Sequence, residues 1–180
     1  MDRETAIAYL VDHYKNPRFK GHLADADVSM PGGNPGCGDL VTVHLKAEPA
    51  SDAIAEATFE GSGCTISQAA ASILLQKVNR EQLSFKEVMD FTYEEMIELL
   101  GRDVVGFRHR CATLALGTLK AAVKTVEMDR KLRAAGHSEE DIRRLREAAA
   151  ERAAGAGLVV GAEAEAASAD PSSGGQADST

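Results

Sequence analysis

The hydrophobic periodicity of the chain changes at Cys64, and this change constrains the fold more than any other sequence feature. On the N-terminal side, residues 40–46 and 54–60 are rich in β-formers and flank a turn at 49–52, which predicts an antiparallel hairpin. On the C-terminal side, apolar residues recur at the spacing of one helical face. We therefore expect a β-region followed by a run of helices.

The N-terminal part is predicted to hold one helix and a long loop. Apolar residues between positions 2 and 14 have helical spacing, and Pro17 ends this helix because proline disfavours helical geometry in the residue before it. Residues 18–38 contain many loop formers, so the strand expected there is a short one near 27–30.

Helix starts after Cys64 are marked by capping pairs, in which two side chains satisfy free backbone N–H groups. The pairs are Thr65 with Gln68, Ser84 with Glu87, and Thr92 with Glu95. The third of these helices is expected to end at Gly101. A long helix is then expected over about 107–130, with Phe107 and Cys111 on its apolar side.

The C-terminal part is predicted to consist of one more helix and a tail. Residues 138–154 carry acids in the first turn with arginines behind them, as a helix N-terminus favours. The apolar stripe of this helix is narrow, so we expect it to dock weakly on the rest of the protein. The tail, 155–180, is composed mainly of Ala, Gly, Ser and acids, which predicts disorder.

Composition narrows the class of protein. The formal net charge of -8 argues against nucleic acid as a partner. Three cysteines, an odd number, do not indicate a disulfide framework, so we expect reduced thiols and a cytoplasmic protein. The polar N-terminus does not resemble a signal peptide, and no apolar run approaches the length of a membrane span, so no membrane association is expected.

Each cysteine has a setting that suits a metal ligand. Cys37 lies among glycines and prolines two residues before Asp39, Cys64 precedes a helix start that favours negative charge, and Cys111 follows a basic segment. Three thiols and one carboxylate make four ligands, the coordination number of zinc or of a cluster iron. Taken singly, each cysteine also fits a packing role, and Cys111 fits it best because it lies on an apolar stripe.

The spacing of these residues does not by itself define a motif. The chain contains no CxxC pair, which removes thioredoxin-like chemistry and the common zinc-finger patterns. His109 is two residues from Cys111 and lies on another side of the helix, so it is predicted to be a surface residue. The remaining histidines show no ligand spacing and are predicted to be structural or exposed: His13, His22, His44 and His137.

Four local segments are more specific, namely residues 12–18, 34–39, 61–72 and 108–114. Read in order, they resemble the U-type iron–sulfur cluster assembly proteins (IscU, SufU and the N-terminal part of NifU). The resemblance implies an α+β fold in which about three antiparallel strands carry helices on one face, as in SufE/NifU-like proteins. It divides the chain into an assembly domain at 1–130, an extra helix at 131–154 and a tail at 155–180.

The segment ending in Cys111 is similar to the SufU branch, because Arg110 stands where IscU proteins carry a histidine. The resemblance implies a metal site of Cys37, Asp39, Cys64 and Cys111. It also implies bound zinc and transfer of persulfide sulfur from a cysteine desulfurase of the SufS or IscS type. We expect Cys37 to be the catalytic sulfur acceptor and Arg108 to support the thiolates or the docking surface.

Two alternatives remain open. In the first, the same ligands hold iron or a transient [2Fe–2S] cluster, and the protein is a scaffold that passes the cluster to iron–sulfur carriers or apo-proteins. In the second, one thiol works with a histidine in a hydrolase or acyltransferase, although no Cys/His pair has a supporting motif. As a member of the resembled family, the protein is expected to have at most one enzymatic activity, that of a sulfurtransferase working with a cysteine desulfurase. Otherwise it is expected to be a non-enzymatic scaffold.

Overall fold

The computed structural model describes residues 2–155 and contains a three-stranded antiparallel sheet in the order β1-β2-β3. The strands are β1 (Val28–Asn34), β2 (Asp39–Ala47) and β3 (Ile54–Ser62). The predicted hairpin at 40–60 is therefore confirmed. The loop predicted over 18–38 is wrong for its last part, because β1 continues through Pro31; this is tolerated since β1 is an edge strand.

Seven helices accompany the sheet within residues 2–155. They are α1 (Arg3–Lys15), α2 (Thr65–Glu81), α3 (Phe85–Asp90), α4 (Tyr93–Leu100), α5 (Arg102–Val105), α6 (His109–Ala134) and α7 (Glu139–Gly155). Helices α2 and α6 cover one face of the sheet, α1 packs on α2, and α3 and α4 pack on α6. The predicted α+β arrangement is confirmed.

The core lies between the sheet and α2 and α6. Alternate residues of β2 point into it, and Val41, Val43 and Leu45 are fully buried. With 4% aromatic residues, this core is filled mostly by aliphatic side chains and alanines, which allow the helices to approach the sheet closely. The opposite face of the sheet carries the remaining residues of β2, including His44.

The capping boxes predicted at Ser84 and Thr92 are confirmed, and α4 ends at Gly101 as expected. The capping box predicted at Thr65 is wrong. The N-cap of α2 is Cys64, whose backbone is extended and whose sulfur accepts the N–H of Ser67. The chain enters α2 one residue earlier than the hydroxyl pattern indicated, because β3 already ends at Ser62.

The prediction that Phe107 lies on the apolar side of the long helix is wrong. Helix α6 begins at His109, and Phe107 stands fully exposed in the turn after α5. Gly106, in a left-handed conformation with φ 54°, redirects the chain there.

Helix α7 contacts the domain at few points. Ile142 is buried, whereas Leu145 is exposed. The guanidinium of Arg146 forms an ion pair with the buried carboxylate of Asp129 on α6. Except for Gly155, the tail predicted to be disordered lies outside the described residues. No helix within residues 2–155 is both long and apolar enough to cross a membrane.

Candidate metal centre

The hairpin between β1 and β2 places Cys37 and Asp39. Asn34 and Asp39 are paired at its end, and the N–H of Cys37 donates to the carbonyl oxygen of Asn34 at 3.1 Å. Gly38 completes the turn with φ 68°, a conformation that glycine adopts without steric cost. As a result Cys37 stands exposed at the hairpin tip, whereas Asp39 points inward and is fully buried.

Asp39 is held by the junction between β3 and α2. The N–H of Cys64 donates to Oδ1 of Asp39 at 2.7 Å, and the sulfur of Cys64 lies 3.8 Å from Oδ2. Gly63 permits this approach, because a Cβ there would lie 2.4 Å from Oδ1. The junction thus brings a buried carboxylate against a half-buried thiol.

The position of Cys64 as N-cap of α2 adds to its chemistry. Its sulfur accepts the N–H of Ser67 at 3.5 Å, and the Ser67 hydroxyl donates back to the Cys64 carbonyl at 3.0 Å. A cysteine sulfur held at this position can coordinate a cation.

Cys111 lies in the first turn of α6 and is buried. Its sulfur is 3.5 Å from the sulfur of Cys37 and accepts a hydrogen bond from the side-chain amide of Asn34 at 3.5 Å. Burial raises the pKa of the Cys111 thiol, and hydrogen bonds to Asp39 and Cys37 raise it further. A cation among these groups would offset their mutual repulsion.

The structure brings three of the four residues proposed as ligands into one group: one ligand atom each from Cys37, Asp39 and Cys111 lies within 4.8 Å of the others. Cys64 is not a member of this group, and its sulfur contacts it through Oδ2 of Asp39 at 3.8 Å. That Cys64 is the fourth ligand stays a prediction. Two thiolates around tetrahedral zinc lie about 3.8 Å apart, and a thiolate and a carboxylate oxygen about 3.6 Å apart. The sulfur–sulfur distance of 3.5 Å and the sulfur–oxygen distance of 3.8 Å are close to these values. The donor set fits zinc or a cluster iron.

The basic segment before Cys111 lies at the surface. Arg108, His109 and Arg110 are exposed, and Arg108 occupies the N-cap of α6 without a side-chain hydrogen bond to the first turn. A supporting role for Arg108 stays a prediction.

The histidines do not complete a nucleophilic pair with a thiol. Within residues 2–155, no histidine forms a hydrogen bond with a cysteine, so this part of the chain lacks the pair that a hydrolase or acyltransferase needs. His22 is exposed and His44 is buried and hydrogen-bonded, as expected for exposed or structural histidines, and the fold brings both next to Glu60. Spacing along the chain does not reveal this group, because it joins a loop residue to residues on two different strands.

Comparison with protein families gives one match that spans most of the chain. The family described as the NifU-like N terminal domain matches residues 7–133. This range contains all four residues of the candidate metal centre and ends before α7.

Two relatives illustrate the similarity. The iron–sulfur cluster assembly scaffold protein IscU of Thermotoga maritima is 33% identical over 132 residues, which cover 65% of this chain and 91% of the relative. The zinc-dependent sulfurtransferase SufU of Bacillus subtilis is 32% identical over 133 residues, which cover 66% and 88%. The chain is thus about equally similar to a scaffold and to a sulfurtransferase.

Solved structures agree on the fold. A putative iron–sulfur cluster assembly scaffold protein for the SUF system from Fervidobacterium islandicum superposes with a TM-score of 0.55 and 28% identity, over 64% of this chain and 93% of that one. The N-terminal part of a NifU-like protein from Brucella abortus gives a TM-score of 0.57 at 19% identity, over 67% and 92%.

Proposed function

The chain belongs to the NifU-like N-terminal domain family, and from this premise we propose that it is an iron–sulfur cluster assembly protein that accepts persulfide sulfur from a cysteine desulfurase. The observation that carries the proposal is the unequal exposure of two neighbouring thiols. Cys37 is exposed at a hairpin tip, while Cys111, 3.5 Å away, is buried.

Cys37 is proposed as the sulfur acceptor because a partner's persulfide can reach it. Its thiolate attacks the terminal sulfur of the desulfurase persulfide and forms a new S–S bond. The S–S bond of the donor breaks, and its electron pair leaves with the desulfurase cysteine as a thiolate. Cys37 lies in the turn between the paired residues Asn34 and Asp39, so its side chain stands outside the strand ladder.

Cys64, Cys111 and Asp39 are proposed to anchor a zinc ion together with Cys37. When bound, zinc keeps its thiol ligands deprotonated and so supplies a thiolate at neutral pH. Cys111 is held by Asn34 and by burial, and Cys64 by the helix start, so both are suited to remain in place. The carboxylate of Asp39 is a harder ligand than a thiolate and exchanges more readily, so it suits a site that must release what it binds.

A second candidate function is a scaffold for a [2Fe–2S] cluster, in which the cluster is cargo that passes to carriers or apo-proteins. This candidate stands beside sulfur transfer because the chain is about equally identical to an IscU relative and to a SufU relative. The same four ligands would serve, so the two functions differ in what they hold.

Metal analysis of protein purified without oxygen distinguishes these functions. For sulfur transfer we expect about one equivalent of zinc to disappear when all three cysteines are replaced by alanine, with no visible absorbance in either protein. Iron, sulfide and a coloured spectrum would instead identify a scaffold. Unchanged metal content in the triple variant would refute both.

Sulfur transfer itself is tested with a desulfurase and isotopically labelled cysteine. We expect the wild type to carry label that a reductant releases, and Cys37→Ser to carry none while keeping its circular dichroism spectrum. Because Cys37 is exposed, this variant leaves the core intact. Label retained in Cys37→Ser would overturn its assignment as acceptor.

A further inference from the structure

A second group of ligand atoms lies on the face of the sheet that the helices do not cover. His44 is on β2, Glu60 is on β3, and His22 lies in the segment between α1 and β1 that runs beside β3. The side chain of His44 is buried at 3% exposure, whereas those of His22 and Glu60 are 63% and 53% exposed. The group thus has one anchored member and two that solvent can reach.

The distances within this group match a coordination sphere. Oε2 of Glu60 lies 3.0 Å from Nε2 of His44 and 3.5 Å from Nδ1 of His22. One ligand atom from each residue lies within 4.8 Å of the others. Around a tetrahedral ion with bonds of about 2.0–2.1 Å, neighbouring ligand atoms are about 3.3 Å apart.

The surroundings of His44 hold its ring in the orientation that a ligand needs. The hydroxyl of Ser29 lies 2.8 Å from Nδ1, so in the tautomer with its proton on Nδ1 the ring donates to Ser29. Nε2, which faces Oε2 of Glu60 at 3.0 Å, can then accept a cation that lies between the two residues. His22 packs edge-on against the same ring, with centroids 4.8 Å apart. Metal-binding histidines commonly have their second nitrogen fixed in this way.

An unsatisfied polar atom stands next to the group. Thr58 pairs directly with His44 across the two strands, so both side chains lie on the same face. Its hydroxyl is buried and has no hydrogen-bond partner in the described part of the chain. A buried hydroxyl without a hydrogen-bond partner lowers the stability of the fold. A water molecule bound to a metal at this site would supply the missing partner.

We propose that His22, His44 and Glu60 form a second site, which binds a divalent first-row cation, with zinc as the best-fitting ion. Two imidazoles and one carboxylate are a donor set that zinc accepts, with the fourth position open to water. The site is separate from the cysteine centre, because His44 lies five residues along β2 from Asp39, or about 17 Å. Binding would add a metal cross-link to the backbone hydrogen bonds that already join the segment carrying His22 to Phe59 of β3.

Zinc titration of the untagged, metal-free protein tests the site by calorimetry and by the ring-proton signals of histidine. We expect a zinc-binding event that shifts the signals of His22 and His44 and leaves those of His13 and His137 in place. His22→Ala and Glu60→Gln should weaken this event at least tenfold, and Ser29→Ala about tenfold. These three residues are exposed, so the substitutions leave the core intact.

Two controls make the result specific. His137→Ala removes an exposed histidine far along the chain and should leave binding unchanged, and Cys37→Ser should affect the cysteine centre alone. Ring signals of His22 and His44 that do not move at saturating zinc would overturn the proposal. Equal zinc affinity of this binding event in the wild type, His22→Ala and Glu60→Gln would also overturn the proposal.

Discussion

Replacement of Gly63 by alanine tests how the fold holds Asp39 at the cysteine centre. An alanine Cβ would lie 2.4 Å from Oδ1 of Asp39, 2.8 Å from Oγ of Ser67 and 3.0 Å from Cα of Asp39. The serine hydroxyl can rotate away, but the backbone of Asp39 is fixed in β2. The carboxylate must therefore move, and with it the 2.7 Å hydrogen bond from the N–H of Cys64.

The expected cost has two parts. Loss of a hydrogen bond to a buried charged group costs about 1.5–3 kcal/mol. The backbone of Gly63, with φ 153°, is one that alanine rarely adopts, which adds about 1 kcal/mol. We expect Gly63→Ala to lower the free energy of unfolding of the metal-free protein by about 3 kcal/mol, and to weaken zinc binding because Asp39 is displaced.

Gly38→Ala is the matched control. Gly38 also has positive φ, at 68°, but a Cβ there would meet nothing within 4 Å. We expect it to cost about 1 kcal/mol, from backbone conformation alone. Urea unfolding followed by circular dichroism, with equal m-values, measures both variants. If Gly63→Ala is no less stable than Gly38→Ala, close packing against Asp39 does not hold the carboxylate in place.

Three further changes have expected outcomes. Phe107→Ala should raise the desulfurase concentration needed for half-maximal sulfur transfer about tenfold, because it removes an exposed aromatic side chain two residues before α6, whose first turn carries Cys111. Met128→Ala, which removes an exposed side chain farther along α6, should leave this concentration unchanged. Ile142→Ala should increase hydrogen exchange throughout α7, whereas Leu145→Ala should leave it unchanged, since Ile142 is buried and Leu145 is exposed. Burial lowers the pKa of His13 below its unfolded-state value, so the unfolded chain takes up a proton first and stability falls as the pH drops below about 6.5. Urea unfolding across this pH range should show a weaker decline in His13→Gln, and an identical decline would contradict the assignment.

Features determined by neighbouring residues were predictable from the sequence. The capping boxes at Ser84 and Thr92 depend on side chains three residues apart, and both are present. The same pattern at Thr65 predicted the wrong N-cap for α2, because the residue that becomes the N-cap depends on where β3 ends. That endpoint is set by pairing with β2, where Ser62 meets Leu40, and local spacing carries no record of it.

Phe107 shows a similar limit for burial. Helical spacing placed its ring on the apolar side of α6, but a short helical turn and Gly106 intervene and expose it. Helical periodicity predicts burial only where the helix is continuous. Here the helix is interrupted at Gly106, whose positive φ is a property of the folded chain.

The sequence by itself predicted the order of the strands and of every helix except α5, and it predicted the family, because these depend on local propensity and on short motifs. The ligand set of Cys37, Asp39, Cys64 and Cys111 came from the same motifs and stays a prediction. The tertiary structure alone decided that Cys37 is exposed while its neighbour Cys111 is buried. It also decided that histidines on a loop and a strand meet one glutamate. Such contacts join residues far apart in the chain, and they arise only when burial of the apolar face fixes the register of the sheet.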